Sequence, residues 1–182
     1  MNTPPCPTRR AAMGWLAGSL APFTAHADTP AWQRTLAQAR GQTVYFNAWG
    51  GAPAINAYIQ WAADQVVQQF GVKVVHVKVV DTVDVVKRVR DEKAAGKTDG
   101  SVDLVWINGE NFLTLKREGL LWGPFAESLP AFANVDTQGK PTTLQDFAEP
   151  VGGMEAPWGM AQLTFMADAQ RVAHLPRDLE PG

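Results

Sequence analysis

Cysteine is almost missing from this chain: Cys6 is the only one, and it precedes a short apolar run near the N-terminus. From residue 28 onward there is no thiol, which excludes a structural disulfide, a thiolate nucleophile and a cysteine-held metal. Histidine is scarce too. Beyond residue 27 only His76 and His174 remain, far apart and without a second ligand at a helix-compatible spacing. The same region holds two serines, Ser101 and Ser128, and neither sits in a G-x-S-x-G turn. No G-x-G-x-x-G or G-x-x-x-x-G-K-[ST] loop occurs, so no phosphate-cradling fingerprint is present. Positive charge is not concentrated: 16 Lys and Arg face 18 Asp and Glu, which argues against nucleic acid as a partner. No apolar run is long enough to span a bilayer.

What is present begins with a leader. Arg9 and Arg10 form a basic start, Ala11 to Phe23 is mildly apolar, and Ala25-His26-Ala27 is an A-x-A cleavage site. Residues 1–27 are thus expected to be a signal peptide, with a periplasmic product beginning at Asp28. Two of the 16 basic residues and no acidic one lie in the leader, which leaves a mature charge of −4.

The mature chain alternates strand and helix patterns. Thr29 to Arg40 has apolar residues at helical spacing and ends at Gly41. Gln42 to Trp49 is a near-continuous apolar run, as in a strand buried on both faces. After Gly50-Gly51, Pro53 opens a helix whose stripe runs through Ile55, Tyr58, Ile59, Ala63, Val66 and Phe70 to a cap at Gly71. Val72 to Val80 is β-branched but carries Lys73, His76 and Lys78, which suit an edge strand with His76 on the surface. A helix from Asp81 and a polar turn at 94–100 follow. Then come a strand over Val102–Ile107, the turn Asn108-Gly109-Glu110-Asn111 and a third helix to Gly119. This order predicts an α/β fold with a mainly parallel sheet in the order 2-1-3. Residues 122–150 read as a surface segment with short helical turns, and Gln162 to Met166 as a fourth strand.

In that order the loops after the first and third strands share one crevice, where open α/β sheets hold ligands. Asn108 is expected to cap the third helix with its side chain, Gly109 to permit the turn, and Glu110 to favour the first helical turn. The same groups would line the crevice, with Glu110 available to a cation. Trp49 beside Gly50 and Gly51 serves either the core or a close ligand contact. Trp158, in a Pro-Gly turn, reads as a crevice contact, while Trp106, inside a strand, reads as core. Trp49, Trp158 and Glu110 together would make an aromatic and acidic cage for an organic cation. Tyr45 and Tyr58 are placed like core residues.

The succession VYFNAWGG, VDLVWINGENFLTLKREGLL and EAPWGMAQLTFMAD resembles the solute-binding proteins of bacterial ABC importers. It is most similar to the type II periplasmic-binding branch linked to thiamine, polyamines and iron. The resemblance implies a three-layer αβα lobe over residues 28–160, with a crossing strand and the start of a second lobe over 161–182. It implies ligand contacts at Trp49, Gly50, Gly51, Asn108, Gly109, Glu110, Asn111, Trp158 and Gln162, and no catalytic residue, metal or cofactor. The partners implied are a small-molecule solute and, transiently, an inner-membrane permease, with the protein a monomer. Members run to roughly twice this length, because two lobes need two domains of chain. The resemblance therefore implies a partial chain whose second lobe is missing. The alternatives are an exported α/β enzyme of transferase type and a fragment without function.

Overall fold

The structure, a computed structural model, describes residues 29–159 together with 168 and 171. The expected leader, most of the expected crossing strand and Gln162 lie outside the described residues.

The centre is strand β1, Thr43–Trp49, with Phe46, Asn47 and Ala48 all buried. It pairs in parallel with β2, Lys73–Val79, in register from Thr43↔Lys73 to Trp49↔Val79. On its other side it pairs in parallel with β3, Leu104–Val105, opposite Phe46 and Asn47. The protein is therefore α/β with a three-stranded parallel sheet in the order β2-β1-β3, as the sequence pattern predicts. The strand expected over Val102–Ile107 is shorter than its composition promises. The Asp103 carboxylate accepts the Tyr45 N–H at 2.8 Å, taking the place of a backbone carbonyl. Past the strand, Trp106 N–H donates to Asn47 O at 2.9 Å and carries the pairing one residue further.

Successive strand side chains point to opposite faces, and the helices divide accordingly. Phe46 and Ala48 pack with Ile59 of α2, Pro53–Phe70, backed by Ile55, Val74 and Trp106. Asn47 points the other way, where Arg88 of α3, Thr82–Ala94, donates from Nη1 to its Oδ1 at 3.3 Å. The buried amide also donates to Tyr45 O, so neither end of it is stranded without a partner. Helix α4, Gly109–Arg117, packs against α3 and buries Phe112 and Leu115. Helix α1, Pro30–Ala39, begins on Thr29, whose hydroxyl accepts the Trp32 N–H.

Three side chains lie elsewhere than expected. Tyr45 and Tyr58 are about half exposed rather than core; the Tyr58 ring lies on the surface of α2 against Trp61 and Trp158. His76 is half-buried rather than on the surface; its Nε2 lies 3.2 Å from Ala48 O and its ring faces Phe46. The polar turn before β3 is held by Glu92, which accepts from Ser101 N–H and Lys97 Nζ, each at 2.9 Å. These bonds, the Ser101 backbone first, hold its carboxyl down at about 2.

Beyond α4 the chain forms short 3₁₀ turns at Ala126–Ser128, Pro130–Asn134 and Pro141–Leu144. A two-residue hairpin follows, β4 Gln145–Asp146 and β5 Glu149–Pro150. Its turn residues Phe147 and Ala148 have φ of 49° and 59°. The left-handed region costs a residue with a Cβ about 1–2 kcal/mol. Among the described residues no helix is long and apolar enough to cross a membrane.

Candidate functional site

All three strands of the parallel sheet end at one edge, and the helix following each strand starts there. Between the strand ends lies an open cavity of about 390 Å³. Trp49 closes one side and Trp106 another, with Asp81 and Thr82 from the β2–α3 loop and Asn108 and Asn111 from the β3–α4 turn. Trp49 is 43% exposed, so its indole is only partly used by the core. A Cβ on Gly51 would overlap that ring, so the glycine lets the indole lie flat across the loop. Gly50 continues the strand ladder through its N–H to Val79 O at 3.0 Å, and its own carbonyl accepts from Asn56 Nδ2 at 2.8 Å.

The β3–α4 turn is built differently from expectation. Asn108 is the residue before α4, but its side chain caps nothing. The cap comes from the hairpin: Asp146 Oδ2 accepts the Gly109 N–H at 2.6 Å. Asn108 is thereby left exposed at the cavity instead of tied to the helix end. Gly109 supplies the positive φ of 59° that the turn needs. Glu110 is exposed in the first turn of α4 and is not part of the cavity wall.

The structure thus brings Trp49, Asn108 and Asn111 together and places Gly50, Gly51 and Gly109 beside them. Trp158 does not line this cavity. It packs against Trp106, Tyr58 and Phe46 at centroid distances of 5.4, 5.8 and 6.2 Å, and reaches the site only through Trp106. Sequence reasoning missed Asp81, Thr82 and Trp106 as wall residues. The signal was available, since a 2-1-3 order puts the end of β2 beside the end of β1 as surely as that of β3.

Charge at this edge is negative on balance. The N-termini of α2, α3 and α4 each bring about half a positive charge. Lys78, whose side chain packs against Gly50, adds a full positive charge, and against these stand Asp81 and Asp84 at α3 and Glu110 and Asp146 at α4. Asp81 Oδ1 accepts the Val83 N–H at 3.0 Å. Among the described residues there is no cluster of three or more metal-ligating side chains.

Behind Asp146 lies Glu155. Burial, with the negative Asp146 nearby, pushes its carboxyl up to about 7 from an ordinary 4.5. The folded protein therefore holds this proton between pH 4.5 and 7 while the unfolded chain releases it. The resulting stability is fully present below pH 4.5 and is lost as pH rises through about 7. Glu155→Gln is expected to raise stability at pH 8 by about 1 kcal/mol, the shift being discounted for a half-exposed carboxyl, and to leave it unchanged at pH 4. Urea unfolding at the two pH values checks this; an equal gain at both would exclude titration as the cause.

Fold and site together define an α/β protein with an aromatic, acid-rimmed crevice at the carboxyl edge of its parallel sheet. The chain is similar to Protein YnjB of Escherichia coli (strain K12), 48% identical over 155 residues. That match covers 85% of this chain and 39% of the relative, so the chain spans well under half of the curated protein it matches. No family profile matches the chain. No solved structure matches it either.

Proposed function

We propose that this chain is the solute-capturing lobe of a substrate-binding component of an ABC importer, acting in the periplasm on a small organic cation. The observation that carries the reading is the crevice wall. Two indoles, Trp49 and Trp106, flank an opening whose nearest charge is the Asp81 carboxylate. Indole faces attract cations, by about 2 kcal/mol or more where water is excluded, and a carboxylate adds to this at close range. The neutral amides of Asn108 and Asn111 supply hydrogen bonds that orient a ligand without adding charge. A binding role needs no nucleophile and no metal, and this site is built from contact groups. The resemblance to importer receptors noted in the sequence would put a ligand at the same loops, which supports this reading. In such a receptor a second lobe closes over the solute because some contacts exist only in the closed state. The permease would then receive the closed form.

The test is a thermal shift of the full chain against thiamine, spermidine, a sugar and a neutral amino acid. A rise in melting temperature that grows with thiamine or spermidine concentration is expected. A shift with the sugar alone, or none with either cation, would sink the organic-cation reading.

A further inference from the structure

Thr82 stands in the crevice wall with its hydroxyl hydrogen already spent. Its Oγ1 donates to the backbone carbonyl of Trp106 at 3.2 Å. A carbonyl can only accept, so the direction of this bond is fixed. The Thr82 oxygen is left with lone pairs and no hydrogen to offer. Both partners line the cavity, Thr82 from the β2–α3 loop and Trp106 from just past β3. Strands β2 and β3 are not neighbours, since β1 lies between them. The bond therefore bridges the end of β1, where Trp49 stands, and ties two walls of the crevice together.

Besides the two indoles, the polar side chains of the wall divide by loop. On the β2–α3 side both are acceptors, the Asp81 carboxylate and the Thr82 oxygen, from adjacent residues. On the β3–α4 side the Asn108 and Asn111 amides carry donors and acceptors alike. Lys78 packs on Gly50 and is not part of the wall. A ligand set against the β2–α3 side must therefore bring the donors itself. An ammonium group with N–H bonds meets both acceptors and the charge at once. A quaternary ammonium answers the charge and the indole faces, and leaves both acceptors without a donor.

We propose that Thr82 is a specificity-determining residue of the crevice, which with Asp81 selects a cation carrying N–H groups over a quaternary ammonium of the same charge. This rests on the organic-cation reading and deepens it: indole faces hold either kind of cation, and the acceptor pair tells them apart.

The experiment titrates the full chain, Thr82→Val and Thr82→Ser with spermidine and with its fully N-methylated counterpart, in which every nitrogen is quaternary. Valine matches threonine in shape and sets a methyl where the oxygen was, while serine keeps the hydroxyl. The unchanged protein should bind spermidine about fivefold or more tightly than the methylated cation. Thr82→Val should weaken spermidine by about three- to fivefold and the methylated cation by less than twofold. Losing the bond to Trp106 should also lower its melting temperature by about 2–6 °C. Thr82→Ser should restore both the affinity and the melting temperature. A purely structural role for Thr82 would weaken both cations equally, and that result overturns the proposal. So does unchanged spermidine affinity in Thr82→Val, or a preference of the unchanged protein for the methylated cation. If the unchanged protein binds thiamine but not spermidine, this inference falls while the organic-cation reading stands. Failure to bind either overturns both.

Discussion

Replacing Phe112 by alanine is expected to remove about 3–5 kcal/mol of folding stability, the largest effect of any single substitution considered. Phe112 is wholly buried in α4, and Leu115 one turn on and Val85 of α3 are buried with it. Removing the ring withdraws its apolar surface and leaves a void that two short helices can fill only in part. The Lys116 ammonium, 6.0 Å from the ring centre, loses a cation–π contact at the same time. A domain of this size holds about 5–15 kcal/mol in total, so about a fifth or more of its stability is lost with one side chain. Urea unfolding is the measurement. Trp122→Ala, at an 80% exposed position, is the control and should change stability by less than about 0.5 kcal/mol. A loss at Phe112 below about 1 kcal/mol would mean that α4 is not seated on α3 as described. The consequence reaches the site, because the β3–α4 turn is the first turn of the helix that Phe112 pins.

The second large effect is on binding. On the proposed organic-cation reading, Trp49→Ala should weaken thiamine affinity by about two- to fivefold, the loss of one indole–cation contact at a half-exposed site. It should cost little stability, since Trp49 ends its strand nearly half in water. Asp81→Asn should weaken binding by about tenfold and also flatten its salt dependence, because a screened charge–charge term has gone. Asparagine caps helices as well as aspartate does, so the bond to Val83 and the start of α3 survive. Calorimetric titration at low and high salt separates the two effects. If Trp49→Ala binds as tightly as the unchanged protein, the crevice is not the binding site. If Asp81→Asn keeps its salt dependence, the relevant charge lies elsewhere on the rim, with Glu110 the next to replace.

Much of the fold was legible because its signals are local. Strand β1 announces itself by an apolar run, α2 by a stripe held over several turns, and β2 by lysines that only an edge strand tolerates. Given those, the 2-1-3 order needs only the usual handedness of parallel connections. The site was legible in part for the same reason: Trp49, Gly50, Gly51 and the Asn108–Asn111 turn lie at predictable strand ends. Asp81 and Thr82 were equally predictable by topology and were overlooked because a charged residue before a helix already has a structural role.

The remainder depended on contacts between residues far apart in the chain. Composition marks Asn108 as a helix cap, yet Asp146, from the hairpin after three 3₁₀ turns, takes that bond. The hairpin, tied to α4 through Glu149 and Lys116, presents the Asp146 carboxylate to the Gly109 N–H, and that placement in space rather than residue type decides the cap. Trp158 reads as a crevice residue from its Pro-Gly setting, but Phe46, Tyr58 and Trp106 offer it aromatic partners first. The β4–β5 hairpin that supplies the α4 cap carries no local signal at all, since nothing in Asp-Phe-Ala-Glu resembles a tight hairpin turn. The sequence by itself determined the helices and strands around the parallel sheet, their 2-1-3 order and the edge where the strands end, because periodicity and strand connection are properties of neighbouring residues. Only the tertiary structure decided which side chains meet at that edge, because capping, aromatic stacking and charge pairing are competitions settled by proximity in space.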